Sequence, residues 1–258
     1  MSFWGTRGGL GAAALAVAAA THVAPAVAAW SVPRRLFLPG LAGIGRPDHV
    51  ALTFDDGPDP RSTPVMLDLL ARRGVRATFF LVGKNVAANP GLAAEIAAAG
   101  HELAVHGLRH RLLLKYPPGR VYRDLAYARA LVASAAGVEP RWFRPPFGVL
   151  STGAAVAARR LRMRTVLWSA WGRDWTATAT GDSVFSCVSR ELAGGGTVLL
   201  HDTASDTAAP DSWRATVDAV PRLLDLCAVR GWSVGPLAEH GLAAPVPPVR
   251  VLEPARAA

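Results

Sequence analysis

Cysteine is nearly absent from the 258-residue sequence, which contains only Cys187 and Cys227. These two residues fall in different predicted helices, so the sequence lacks the closely spaced cysteine pairs of zinc-binding and redox motifs. The thiols are expected either to remain free and buried or to form one disulfide if the protein is exported. Cysteine-based metal or redox chemistry is therefore excluded.

Lysine is also scarce, with Lys84 and Lys115 alone, so arginine carries nearly all of the formal net charge of +9. A basic excess favours an anionic partner such as nucleic acid, phospholipid or an acidic cell-surface polymer. The arginines are scattered, however, and no basic run alternates with aromatic residues. The sequence therefore argues against a nucleic-acid partner and favours a solvated, arginine-rich surface.

Acidic residues are missing from the N-terminus, where the first is Asp48. Arg7 precedes an apolar and glycine-rich stretch over 8–20, and 26–28 has the small-x-small pattern of a cleavage site. These features predict a signal peptide or membrane anchor that directs the protein out of the cytoplasm. Because the stretch is mostly alanine and Pro25 interrupts it, the alternative is a helix that caps the domain of a cytoplasmic enzyme.

Short apolar runs alternate with helical segments from Asp48 onward. They recur roughly every 25 to 40 residues, which is the spacing of a βα unit. Seven such units predict a parallel, seven-stranded (β/α) barrel, with an open doubly wound sheet as the alternative. The predicted strands are 50–54, 77–82, 102–105, 141–143, 165–169, 197–200 and 232–234.

Three regions are expected along the chain. Residues 1–47 form the apolar N-terminal segment and a linker, 48–238 form the catalytic domain, and 239–258 form a tail rich in proline and alanine. The tail has the composition of an extended or disordered end.

Ionisable residues follow the predicted strands at their C-terminal ends. In a parallel barrel these ends lie on one face, where active sites form, so the pattern indicates an enzyme. The residues are Asp55, Asp56, His106, Arg144 and His201, with Asp174 a few positions after its strand.

A metal site is predicted by His106 and His110, four positions apart. In a helical turn they would share a face, and with a carboxylate from a neighbouring strand they would suit zinc or a similar divalent ion. Adjacent buried carboxylates are costly unless neutralised, so Asp55 and Asp56 are expected to divide into a ligand and a base. Taken singly, the aspartates could form a turn, and two unrelated surface histidines would be the better interpretation of His106 and His110.

Two further residues suggest acid catalysis. A carboxylate such as Asp174 near His201 would raise the pKa of the imidazole and suit it to act as a general acid. By itself, His201 could be a core histidine with satisfied hydrogen bonds.

Five segments together resemble the ordered motifs of the polysaccharide deacetylases, carbohydrate esterase family 4. The resemblance covers roughly 48–234 and implies an irregular (β/α) barrel with one divalent metal ion, often zinc. The segments are Thr53-Phe54-Asp55-Asp56-Gly57-Pro58, His106-x-x-x-His110, Arg144-Pro145-Pro146-Phe147-Gly148, Asp174-Trp175 and Leu199-Leu200-His201.

The resemblance also implies a role for each matching position. The expected metal ligands are Asp56, His106 and His110. The expected catalytic residues are the base Asp55, Arg144 that orients it, the acid His201 and Asp174 that tunes it. The expected substrate-binding residues are Phe147, through its backbone N–H, with Trp175 and Leu199 around the acetyl methyl.

Three positions depart from the usual family pattern. Gly107 stands where serine or threonine normally follows the first histidine, which puts the loop geometry in question. Trp171 replaces an aspartate upstream of Asp174, and Phe147 replaces the commoner tyrosine or tryptophan.

The sequence therefore predicts a monomeric hydrolase that removes acetyl groups, from nitrogen rather than oxygen, from a glycan such as peptidoglycan or a chitin-like oligosaccharide. An extracytoplasmic location is expected, secreted or membrane-associated through the N-terminus. The alternatives are a non-catalytic carbohydrate-binding barrel and a metal amidohydrolase acting on a small non-sugar amide.

Overall fold

The computed structural model describes residues 16–29, 31–205 and 208–242. Its central strand is β1 (His49–Asp55), in which all seven residues are buried. This strand pairs in parallel with β2 (Thr78–Leu81) and β7 (Thr197–His201). A strand covered on both faces is rich in apolar residues, which β1 supplies at Val50, Ala51, Leu52 and Phe54.

Eight parallel strands form one sheet in the order β5-β4-β3-β2-β1-β7-β6, with β8 paired to β1. Among the described residues no ladder joins β5 to β6, so the sheet curls into an incomplete barrel. The predicted fold class, an irregular parallel (β/α) barrel, is confirmed. The other strands are β3 (Glu102–Val105), β4 (Trp142–Phe143), β5 (Arg164–Thr165), β6 (Ala170–Trp171) and β8 (Ser233–Gly235).

Helices surround the sheet. Gly74 and Gly137 follow two of them with φ of 63° and 69°, the left-handed conformation that ends a helix and that glycine adopts without a Cβ penalty. Thr180 and Ser183 form a capping box at the start of the helix Gly181–Glu191. The helices are α1 (Ser31–Phe37), α2 (Thr63–Arg73), α3 (Gly83–Ala88), α4 (Pro90–Ala98), α5 (Pro118–Ala136), α6 (Thr152–Arg160), α7 (Gly181–Glu191) and α8 (Trp213–Val229).

The strand predicted at 165–169 was wrong as one element, because β5 and β6 replace it and raise the count from seven to eight. Between them, the carbonyl groups of 166–169 accept hydrogen bonds from arginine side chains instead of a neighbouring strand. Arg144 binds the carbonyls of Val166 and Leu167, Arg34 binds that of Trp168, and Arg35 binds that of Ser169. We call residues 166–169 the linking segment.

Side chains alternate between the two faces of each strand, which divides the core in two. Val50, Leu52 and Phe54 of β1 face outward into the main core beneath the helices. Ala51 faces into the barrel, where it packs with Phe80 and other interior residues. By the same alternation Asp55 lies on the interior side, at the C-terminal mouth of the barrel.

The N-terminal part of the described chain packs on this barrel. Residues 16–23 are helical, Ala24–Ala29 form a 3₁₀ helix, and Ala28 is buried. Across 16–29, 31–205 and 208–242, no helix combines the length and apolar character needed to cross a bilayer. The predicted apolar stretch before residue 16 and most of the predicted tail, from 243 on, lie outside the described residues. Cys187 and Cys227 are both free.

Candidate active site

The turn after β1 sends its two carboxylates in different directions. Asp56 has φ of 80°, an uncommon left-handed conformation for a residue other than glycine. Its N–H donates to the carbonyl of Phe80 at 3.2 Å, and its own carbonyl accepts from the Asn85 side chain at 2.8 Å. Asp55 therefore faces the barrel interior, while Asp56 faces two histidines. The sequence motif did not point to Asn85, which holds this turn.

Three ligand-type atoms converge on one point, supplied by Asp56, His106 and His110, and they lie within 4.8 Å of one another. Asp56 Oδ1 is 3.5 Å from the Nε2 atom of each histidine. This oxygen is buried and has no hydrogen-bond partner. Because an unsatisfied buried carboxylate is costly, the arrangement fits a divalent cation bound at this point.

His106 is oriented for ligation by its second nitrogen. Its Nδ1 lies 2.9 Å from the carbonyl of Arg144, to which it donates, and this leaves the Nε2 lone pair facing Asp56. Burial lowers the pKa of His106 to about 3, so the imidazole is neutral and can bind a cation.

The predicted helical turn at 106–110 is wrong, although the two histidines do converge. Gly107 has φ of 87°, which interrupts any helix, and the segment is a bend. The loop is fastened to the start of α3, because the carbonyls of Gly107 and Leu108 each accept a backbone N–H at 2.9 Å. A side chain at 107 would be strained at this φ, so the departure from the family pattern matches the backbone.

Asp55 forms a buried ion pair with Arg144. The Arg144 Nη1 atom lies 2.6 Å from Asp55 Oδ1 and 2.9 Å from Thr53 Oγ1. The remaining oxygen, Oδ2, is 3.7 Å from His106 Nε2 and faces the cation point. Burial raises the pKa of Asp55, an effect that Arg144 and His201 oppose. Asp55 thus has one oxygen held and one oriented toward the place where a reacting water would sit.

His201 and Asp174 form a second buried pair. Asp174 Oδ1 accepts from His201 Nδ1 at 2.8 Å, while Oδ2 accepts from the His201 backbone N–H at 2.7 Å and from Thr216 Oγ1 at 2.6 Å. Burial favours a lower pKa for His201, but the carboxylates of Asp174, Asp56 and Asp55 outweigh it and raise the pKa to about 10. These carboxylates therefore favour the protonated form of His201, whose Nε2 lies 4.0 Å from Asp56 Oδ2.

A further buried carboxyl supports the turn after Asp56. Asp202 accepts a hydrogen bond from Thr63 Oγ1 at 2.5 Å, and burial raises its pKa to about 7. Gly57 lies so close that an added Cβ would be 2.8 Å from Asp202 Oδ1. Asp202 therefore packs directly behind this turn.

An apolar cleft of about 190 Å³ opens beside these pairs. Its aromatic wall is a series of tryptophans, with ring centroids 5.8 Å apart for Trp168 and Trp171 and 5.1 Å for Trp171 and Trp175. Leu199 lies deeper, and Phe147 packs its ring 4.3 Å from that of His110. The structure thus brings all ten predicted site residues together, and it adds Trp168.

A polar cleft of about 290 Å³ lies on the other side of Asp56 and His110. Arg61, Lys84 and Asn89 line it. The two clefts share Asp56, His110 and Ser205, so the predicted reaction centre lies between a polar and an apolar arm of one groove.

The chain is similar to a described protein family and to several named proteins. A family model described as polysaccharide deacetylase matches residues 42–166. A chitooligosaccharide deacetylase from Bradyrhizobium sp. (strain ANU 289) is 34% identical over 197 residues, which is 73% of this chain and 88% of the relative. A peptidoglycan-N-acetylglucosamine deacetylase from Bacillus cereus is 36% identical over 160 residues, 61% of this chain and 74% of the relative.

The fold is similar to that of a solved relative, a family 4 carbohydrate esterase from Streptomyces lividans in complex with acetate. The two superpose with a TM-score of 0.66 at 30% identity, over 77% of this chain and 98% of that one.

Proposed function

The chain belongs to the polysaccharide deacetylase family, and from this premise we propose that it is a metal-dependent hydrolase that removes N-acetyl groups from a glycan and releases acetate. The family prediction is confirmed, as is the prediction of an enzyme of the polysaccharide deacetylase type. One observation carries the rest of the proposal. The Asp56, His106 and His110 ligand atoms converge between a carboxylate fixed by Arg144 and an imidazolium fixed by Asp174.

Each site residue would have its own role in the reaction. Asp56, His106 and His110 would hold the ion, for which zinc is proposed. When bound, it would polarise the acetyl carbonyl and lower the pKa of a water molecule. Asp55 Oδ2 would take a proton from that water while the water oxygen bonds to the carbonyl carbon. Arg144 would hold Oδ1 of Asp55 in the ion pair, so that only Oδ2 is available to accept the proton.

The other half of the reaction would use His201. Its Nε2–H would protonate the amine as the carbon–nitrogen bond breaks, giving acetate and a free amino sugar. Asp174 would keep the proton on Nδ1 and the ring in place. The backbone N–H of Phe147 would donate to the developing oxyanion, and Trp175 and Leu199 would enclose the acetyl methyl.

A glycan substrate of the peptidoglycan or chitin type is proposed because both named relatives act on such sugars. The two-armed groove supports this, since a polymer can run through it past the reaction centre. The test is acetate release from a peptidoglycan fragment, a chitin oligomer and a small aryl acetamide, with and without a chelator. No release from either glycan would overturn the proposal, and release from the amide alone would point to a small-amide hydrolase.

We also propose that the protein acts outside the cytoplasm as a monomer, with residues 48–238 as its catalytic domain. The absence of acids before Asp48 and the apolar stretch after Arg7 support export. Cell fractionation with an intact-mass measurement tests this, and full-length protein confined to the cytosol would contradict it.

Replacing His106 or His110 with alanine should abolish binding of one equivalent of metal, because two ligands of three hold a divalent ion much more weakly. Elemental analysis after loading with stoichiometric zinc gives the measurement. His22→Ala is the matched control, since His22 lies away from the site, near the Leu114 carbonyl, and should leave full loading. Full occupancy in both site variants would refute the assignment.

The value of kcat should fall at alkaline pH as His201 loses its proton. Asp174→Asn should move this alkaline limb of the kcat–pH profile to lower pH. Asparagine can still accept from Nδ1–H but lacks the negative charge that raises the pKa of His201 to about 10. The kcat–pH profile gives the measurement. Asp182→Asn, at an exposed pair with Arg222, should leave the limb in place. An unmoved limb in active Asp174→Asn enzyme would rule out the coupling.

A further inference from the structure

Arg34 is an unexpected buried cation in the N-terminal segment, with only 1% of its surface exposed. Its Nη1 atom donates to the carbonyls of Ala28 at 2.8 Å and Ala29 at 3.3 Å, and its Nη2 atom donates to the carbonyl of Trp168 at 2.7 Å. Arg34 Nε has no hydrogen-bond partner, so these hydrogen bonds of Nη1 and Nη2 are what offset the cost of burying the guanidinium, and they join the two chain segments. It joins residues 134 positions apart.

The residue held by Arg34 is part of the apolar cleft. Trp168 lines the cleft, and its ring centroid is 5.0 Å from Cζ of Arg34. Ala28 packs behind it in a buried cluster with Leu167, Trp168 and Leu199. The 3₁₀ helix that carries Ala28 therefore forms an outer layer behind the wall of the cleft.

Arginine side chains bind each carbonyl of the linking segment. In the linking segment, Arg144 holds the carbonyls of Val166 and Leu167, and Arg34 holds the next one. Gly148 touches the far side of the ring, since an added Cβ would lie 2.5 Å from the Trp168 ring. The carbonyls on either side of Trp168 are thus held by Arg144, which also contacts Asp55, and by Arg35. The carbonyl of Trp168 itself is held by Arg34, which has no contact with the reacting groups.

We propose that Arg34 is a positioning residue that sets the width of the acyl pocket through Trp168, and so governs the preference for N-acetyl over longer N-acyl groups. This inference rests on the proposed deacetylase function. The Trp168 ring forms part of the cleft wall beside Leu199, so a shift of this ring changes the space available to the acyl chain. Ala28 and Arg34 would thus belong to the functional unit, although they lie before residue 48.

The test compares N-acetyl and N-propionyl forms of the same chitin oligomer with full-length, metal-loaded protein. One methylene in an apolar pocket is worth about tenfold or more in kcat/KM, which sets the ratio expected for the wild type. Arg34→Met frees the Trp168 carbonyl and should reduce this ratio several-fold, chiefly by loss on the acetyl substrate, with metal content unchanged. Arg34→Lys, which can keep one hydrogen bond, should restore part of the ratio.

Arg129→Met is the matched control, because Arg129 pairs with the exposed Glu139 and does not line the cleft. It should leave the ratio unchanged. If Arg34→Met does not fold, Ala28→Gly, which removes only the methyl packed against Trp168, should still lower the ratio. Folded Arg34 variants that keep the wild-type ratio would overturn the inference, including variants that lose both activities equally. A wild-type protein that releases no acetate would overturn the proposed function itself.

Discussion

Replacing Asp55 with asparagine should lower kcat by about two to four orders of magnitude, the usual effect of losing a general base, while the metal stays bound. Asparagine preserves the shape of the side chain and can still accept from Arg144 Nη1, so the fold around it should persist. It cannot accept a proton at the oxygen that lies 3.7 Å from His106 Nε2. Steady-state acetate release and elemental analysis of the same preparation give the two measurements.

Asp56→Asn is the matched comparison, since the two carboxylates are adjacent and both buried. Asp56 Oδ1 has no partner other than the proposed ion, so this variant should lose metal and activity together. The opposite pattern, with metal lost from Asp55→Asn and kept in Asp56→Asn, would mean that the two roles are exchanged.

Arg144→Met should destabilise the protein by about 3–5 kcal/mol, because it leaves the buried carboxylate of Asp55 without its cation. It also removes the donors to the carbonyls of Val166 and Leu167 and to Thr53 Oγ1. Activity should disappear as well, since Asp55 is no longer oriented and the linking segment loses the donor to two of its carbonyls. The free energy of unfolding in urea, measured on the metal-free protein, gives the magnitude.

Arg73→Met provides the control, because Arg73 pairs with Asp225 at the surface, where an ion pair contributes about 0–1 kcal/mol. Adding Asp55→Asn to Arg144→Met should recover part of the stability, since the uncompensated charge is then gone. A loss of less than 1 kcal/mol in the single variant, or no recovery in the double variant, would contradict this view of the pair.

The candidate site could be predicted from the sequence because its residues follow strand ends. In a parallel barrel every strand ends on the same face, so side chains at positions as distant as Asp55, Arg144 and His201 must come close together. The register confirms this directly, with Asp55 aligned to His201 across β1 and β7. Knowledge of loop shape was not needed for these positions.

Other features could not be predicted, since they depend on contacts between distant segments. Arg34 and Arg35 read as a short basic pair on the surface, because nothing local shows that backbone carbonyls far along the chain will bind them. The same contacts divide the predicted strand at 165–169. At 106–110 the spacing of the histidines fitted a helical turn, but the φ of Gly107 depends on the loop as a whole.

Arg144 both orients Asp55 and holds parts of the backbone, which restricts how this protein could lose catalytic activity during evolution. Exchange of Asp55 for a neutral hydrogen-bond acceptor should cost less folding stability than loss of Arg144, because Arg144 would keep Thr53 and two backbone carbonyls as acceptors. If Arg144 were replaced before Asp55, the protein would misfold before it could gain a non-catalytic function. A descendant that binds glycans without cleaving them is therefore expected to retain this arginine, and its presence in a relative indicates an intact barrel rather than turnover.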